Sequence, residues 1–175
     1  MSCNFSRCKS GPPLIDHSRK SPAILERPCS AGRKMIPTKL KLLIENQPGN
    51  TLRTDKQSVT EALKQLNIDI NSELAEFFLN YTITFFKSSS SDEELCDIAD
   101  PSNEIEIGTN FIHEVWELPE NLVCLTNIQG EGCYLYDINS GEVLDFSLAN
   151  RDDFLAGKTQ QKWASFFEFL IWYLS

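Results

Sequence analysis

The stretch Leu118–Leu148, LPENLVCLTNIQGEGCYLYDINSGEVLDFSL, decides the fold. Two glycine-containing turns, Gln129-Gly130-Glu131-Gly132 and Asn139-Ser140-Gly141, cut it into three short runs. The runs are Leu122–Ile128, Cys133–Ile138 and Val143–Leu148. Apolar runs of this length joined by Gly/Asn turns predict consecutive hairpins. In the third run Leu144, Phe146 and Leu148 alternate with Asp145 and Ser147, and in the second Tyr134, Tyr136 and Ile138 share one face. One apolar and one polar face suit an antiparallel meander. Such a sheet needs cover from the rest of the chain.

At 175 residues with 41% hydrophobic composition, the chain is long enough for one domain with a sizeable core. Charge divides it unevenly. Residues 1–34 hold seven Lys/Arg against Asp16 and Glu26, whereas residues 35–175 hold nine against 23 Asp/Glu, a net of −14. An acidic domain argues against nucleic acid or an anionic membrane surface as partner and suits a basic protein. Solubility alone also accounts for acidity. None of the six cysteines lies in a C-x-x-C pair, so neither zinc nor a redox motif is indicated. With Gly130-Glu131 at the hairpin centre, Ile128 faces Cys133 and Cys124 faces Asp137, which disfavours a Cys124–Cys133 disulfide. With no secretory apolar segment at the N-terminus, the expectation is free thiols in a cytoplasmic protein. Phe166–Leu174, which contains Glu168, is too short to span a bilayer.

Residues 1–34 have no helical or strand period and predict a disordered basic tail, with Met35 a candidate true start. The domain is then 35–175. Lys39–Glu45 reads as a strand or a helical turn. Ser58-x-x-Glu61 has capping-box form, and Val59, Ala62, Leu63 and Leu66 give a helix over 56–66. Asn71 or Ser72 can cap a second helix bearing Leu74, Phe77, Phe78 and Tyr81. Ile83–Phe86 reads as a brief strand or helix end. Ser88–Glu94, SSSSDEE, opens a solvated loop reaching about Asn103, with phosphorylation a weak suggestion. Glu104–Leu118 reads as β, and Asn150–Lys158 as a charged connection. Trp163, Phe166, Phe167, Leu170, Ile171 and Leu174 fall at helical spacing, predicting a final helix lying on the sheet.

No catalytic constellation emerges. His17 and His113 are the only histidines, and no G-x-S-x-G elbow, P-loop or H-E-x-x-H spacing occurs. Gly130-Glu131-Gly132 lies between strands, where a hairpin corner outweighs a nucleotide fingerprint. Paired carboxylates can hydrolyse glycosides, but a solvated sheet face carries the same residues. Read together, Glu117, Glu120, Glu131, Asp137, Glu142, Asp145, Asp152 and Asp153 make a negative surface able to dock a basic protein.

The order of parts resembles the SUKH superfamily, which includes fungal cell-wall synthesis regulators and bacterial immunity proteins. The carrying residues are Leu74–Tyr81, Trp116-Glu117-Leu118-Pro119, Gly130-Glu131-Gly132-Cys133-Tyr134, Asp137-x-x-x-Gly141-x-Val143 and Ser165-Phe166-x-x-Phe169-Leu170, within roughly Gln57–Ser175. Ile70-Asn71 and Tyr81-Thr82 depart from the family pattern. The resemblance implies an α+β domain, a twisted, mainly antiparallel sheet packed by helices on one side. It implies a non-enzymatic immunity protein that binds a cognate basic toxin, such as a nuclease, in the producing cell; the eight acids read above are then the expected contact surface. No cofactor, metal, nucleic acid or membrane is expected. A regulatory protein–protein interaction module is the alternative reading.

Overall fold

The computed structural model describes residues 34–128, 130–158 and 162–175. The expected basic tail therefore lies, but for Lys34, outside the described residues. Three helices come first: α1 Thr38–Glu45, α2 Lys56–Gln65 and α3 Glu73–Phe78. Then follow α4 Glu104–Glu114 and the strands β1 Leu122–Cys124, β2 Gly132–Asp137 and β3 Val143–Ser147. A 3₁₀ turn, Leu148–Asn150, leads into α5 Arg151–Leu155, and β4 Lys162–Trp163 precedes α6 Phe166–Leu174. The fold is α+β.

The four strands form one antiparallel sheet in the order β1-β2-β3-β4. The expected three-run meander is its first three strands, and β4 adds a fourth that periodicity did not reveal. The first run is shorter than expected. β1 ends at Cys124, and beyond it Thr126 makes an isolated bridge to Leu95. The register is two residues from that expected, since Cys124 pairs with Leu135, not Asp137. A shift of two keeps every side chain on its face. Gly132 opens β2 where a Cβ would meet the Phe146 carbonyl oxygen at 3.1 Å, and Gly141 turns the next hairpin with φ +80°.

Both faces of the sheet are buried. This corrects the expectation of helices on one side only. Val123, Leu125, Tyr134, Tyr136, Val143 and Trp163 point to one face, into a core with Leu40, Val59, Leu74, Phe78 and the α6 residues Phe166, Phe169, Leu170 and Tyr173. Tyr134 packs on Phe169 with ring centroids 5.0 Å apart, and Tyr136 on Phe166 at 6.1 Å. Leu122, Cys124, Cys133, Leu135 and Phe146 point the other way, to Ile112, Trp116 and Leu118. Trp116 and Phe154 flank Phe146, with ring centroids 5.2 and 5.0 Å from it.

The second cover exists because 104–114 is a helix, where a strand was expected. Ile105 and Ile107 imitate alternation, but the buried set is Ile105, Gly108, Thr109 and Ile112. That is the i, i+3, i+4, i+7 stripe of an amphipathic helix. Glu104 and Glu106 sit in its first turn, where the helix dipole favours anions. Other local readings shift less. Lys39–Glu45 resolves to helix α1, and Ile83–Phe86 is a turn, neither strand nor helix. The cap of α2 is Asp55, whose side chain accepts from the Gln57 and Ser58 amides, so Ser58 lies inside the helix. Ser72 caps α3 by accepting from Ala75 N at 3.1 Å. Ser165 caps α6, and Glu168 reaches back to Ala164 N. The charged connection after β3 contains the short helix α5.

Candidate partner-binding surface

The eight acids do not share one face. They gather at opposite ends of the sheet, apart from Asp145 in mid-strand. At the β2–β3 turn, Asp137 accepts from Asn121 Nδ2 (2.8 Å), Asn139 N (2.8 Å) and Ser140 Oγ (3.0 Å). Burial is the largest single influence on this carboxyl and pushes its pKa up, but the hydrogen bonds together outweigh it and hold the group below the ordinary carboxylate value. Asp137 thus shapes the turn. Glu142 beside it holds Lys162 Nζ at 3.0 Å. Glu120, which precedes β1, is almost wholly exposed and lies 3.6 Å from His113 Nδ1.

The second group surrounds the opposite end of β2 and β3. Leu148 N donates to Glu131 O at 2.7 Å, which ties the β1–β2 connection to the segment entering α5. Arg151 bridges the group: its Nη2 donates to Glu117 at 2.9 Å, its Nη1 lies 3.4 Å from Asp152, and its Nε donates to Trp116 O. Glu117 has φ 51° at the sharp turn after α4. Asp152 is almost fully exposed, and Asp153 pairs with Lys158 at 2.8 Å. Asp145 stands apart, on the face of Tyr134 and Trp163, where desolvation pushes its carboxyl pKa up.

Asp92, Glu93 and Glu94 join this end of the sheet. With Asn127 and Gly130 they line a concavity of about 400 Å³. In the sequence they were only the acidic tail of a solvated loop. That loop is anchored. Ser88 Oγ donates to Tyr173 O at 2.6 Å, Ser89 Oγ to Ser175 O at 2.7 Å, and Tyr134 OH to Ser91 Oγ at 2.7 Å. Tyr173 OH donates to Glu93 O at 2.8 Å, and burial holds that phenol up at about 12.

His113 lies on α4, where a strand position was expected, and its Nε2 is 2.9 Å from Leu122 O. A carbonyl accepts only, so Nε2 donates in this contact, which pins α4 to β1. Cys96, Cys124 and Cys133 are free and buried. Cys124 donates to Thr126 O at 3.1 Å; the Cys133 thiol is pushed up by its hydrogen bond to Cys124 and by burial. Among the described residues no three His, Cys, Asp or Glu side chains are grouped to hold a metal ion, and no helix is long and apolar enough to cross a membrane. No family model, curated protein or solved structure matches the chain.

Proposed function

We propose that the chain is a non-enzymatic binding protein of the SUKH type, an immunity protein that occupies and neutralises a basic toxin domain in the cytoplasm. One observation carries the reading. Residues 88–157 hold sixteen Asp/Glu and a single cation, Arg151, already engaged by Glu117, Asp152 and the Trp116 carbonyl. Asp97 is the one acid there neutralised by a buried cation, Arg53. A surface so depleted of free positive charge attracts a basic partner and speeds its encounter. A nuclease toxin, built to bind phosphates, offers such a partner.

The test is co-expression with the product of the adjacent gene. Rescue of growth and co-purification of a one-to-one complex support the reading. Charge reversal of Glu131, Asp152 and Asp153 together should slow association about tenfold or more at low salt and flatten its salt dependence. Unchanged association after reversal overturns the surface. A toxic neighbour that never binds overturns the function. A regulatory interaction module is the second reading, favoured by the anchored serine loop, a segment whose attachment to α6 is open to control.

A further inference from the structure

The four serines of the 88–91 run do different things. Ser88 and Ser91 are half-buried and committed. Ser88 Oγ donates to Tyr173 O and accepts from Ser90 N and Ser91 N, both at 3.0 Å. Ser91 Oγ accepts from Tyr134 OH and from Glu93 N. Ser89 and Ser90 are exposed, and each hydroxyl has one described partner, the backbone oxygen of Ser175, at 2.7 and 3.3 Å. Two accessible hydroxyls therefore hold the loop to the last residue after α6. After Lys87 the charge that follows the run has one sign. Asp92 stands three residues after Ser89 and Glu93 three after Ser90, and no Lys or Arg occurs between Lys87 and Arg151. An irregular, exposed serine followed by acids is what a serine kinase with a basic substrate cleft accepts, by the same complementarity that selects basic partners for acidic surfaces.

We infer that Ser89 and Ser90 are phosphorylation sites for an acid-directed serine kinase, and that modification breaks their two hydrogen bonds to Ser175 and loosens the 88–94 loop on the end of α6. In the step, Ser89 Oγ attacks the γ-phosphorus of ATP. The Oγ–P bond forms, the bond to the β–γ bridging oxygen breaks, ADP leaves, and the hydroxyl proton passes to the kinase base. The product no longer has an O–H to donate to Ser175 O. It also places close to two negative charges at a helix C-terminus, where the backbone carbonyls are already electronegative, and beside Asp92, Glu93 and Glu94. Both changes oppose docking. The loop carries the wall of the 400 Å³ acidic concavity, so its loosening alters the surface next to Glu131.

The experiment incubates the full chain, natively folded, with ATP and a purified acid-directed serine kinase of the casein-kinase type. Sites are read by tandem mass spectrometry and docking by hydrogen exchange of the 88–95 and 172–175 amides. Phosphate on Ser89 or Ser90, with exchange about tenfold faster in both segments, supports the inference; loss of two hydrogen bonds of ordinary net strength gives that factor. The S89D/S90D variant should exchange faster without kinase, and S89A/S90A should take up no phosphate. Phosphate accepted only after unfolding in urea, or accepted natively with exchange unchanged, overturns it.

Discussion

Replacing Asp97 by alanine should be among the most damaging single changes in the described structure. The side chain is 4% exposed and collects donors from three segments. Arg53 Nη2 lies 2.5 Å from each carboxylate oxygen, and Thr82 Oγ1 (2.7 Å), Ile83 N (3.1 Å) and Ala99 N (3.0 Å) complete the set. Arg53 is itself 10% exposed, and its other described side-chain partner is the Phe78 carbonyl. Removing Asp97 leaves a buried guanidinium uncompensated, which costs about 3–5 kcal/mol, and orphans two backbone amides. A domain of this size has a total stability of about 5–15 kcal/mol. With a urea slope of about 2 kcal/mol/M, a 4 kcal/mol loss lowers the unfolding midpoint by about 2 M. R53M should cost less, because Asp97 then keeps Thr82, Ile83 and Ala99 as donors. The order D97A worse than R53M is the sharp result, and equilibrium urea unfolding of both variants reads it. A midpoint shift below about 0.5 M for D97A, or the reverse order, refutes the argument from burial.

Two further outcomes test local physics. S72A removes the side-chain cap of α3 and should cost about 1 kcal/mol in urea unfolding, with a null effect showing that packing alone starts the helix. D145N tests the raised carboxyl in mid-strand. Desolvation raises the folded pKa above the unfolded one, so the folded state binds that proton more tightly. Its stabilising contribution is present below the unfolded pKa and is lost as pH rises through the folded value. The asparagine variant should therefore melt roughly 1–3 °C higher at pH 7, the gain closing by about pH 3. A gain that persists in acid shows that charge is not its cause.

The meander was legible because its signals are local: glycine at the corners, period two between them. The same holds for α6, whose aromatic stripe has no rival period, and for α2, whose apolar spacing outweighed the mistaken cap. The failure at 104–118 is informative. Ile105 and Ile107 alternate with glutamates, and two β-branched residues dominate a short window. The helical stripe passes through Gly108 and Thr109, which carry little hydropathy yet are buried: Cys124 and Ile128 close on Gly108, and Thr109 Oγ1 accepts from the Cys124 amide. Small buried residues are invisible to a hydrophobic pattern and decisive in packing. Missing α4 left one face of the sheet uncovered, and the acids were then assigned to it. Asp97 was missed for a related reason. Three of its four donor residues, Arg53, Thr82 and Ile83, become its neighbours only after folding.

Covering both faces changes where a partner can dock. It must meet the sheet's ends, its edges or the outer surfaces of the helices. The two acidic ends are not equivalent there. Asp137 is consumed by its turn, its carboxylate holding three donors, and Glu142 is matched by Lys162. Substituting them changes the hairpin as well as the charge. At the other end Glu131 and Asp152 are exposed, and Asp92, Glu93 and Glu94 form a wall beside them. Of the two cations there, Arg151 is 26% exposed and turned into the Trp116 carbonyl, and Lys158 is paired with Asp153. The exposed Glu131, Asp92, Glu93 and Glu94 outnumber these two cations, and at physiological salt a field survives only over about 8 Å. Long-range attraction therefore belongs to the Glu131 and Asp152 end. A loss of binding on mutating the Asp137 turn counts toward a docking site only when the thermal stability of the variant is unchanged.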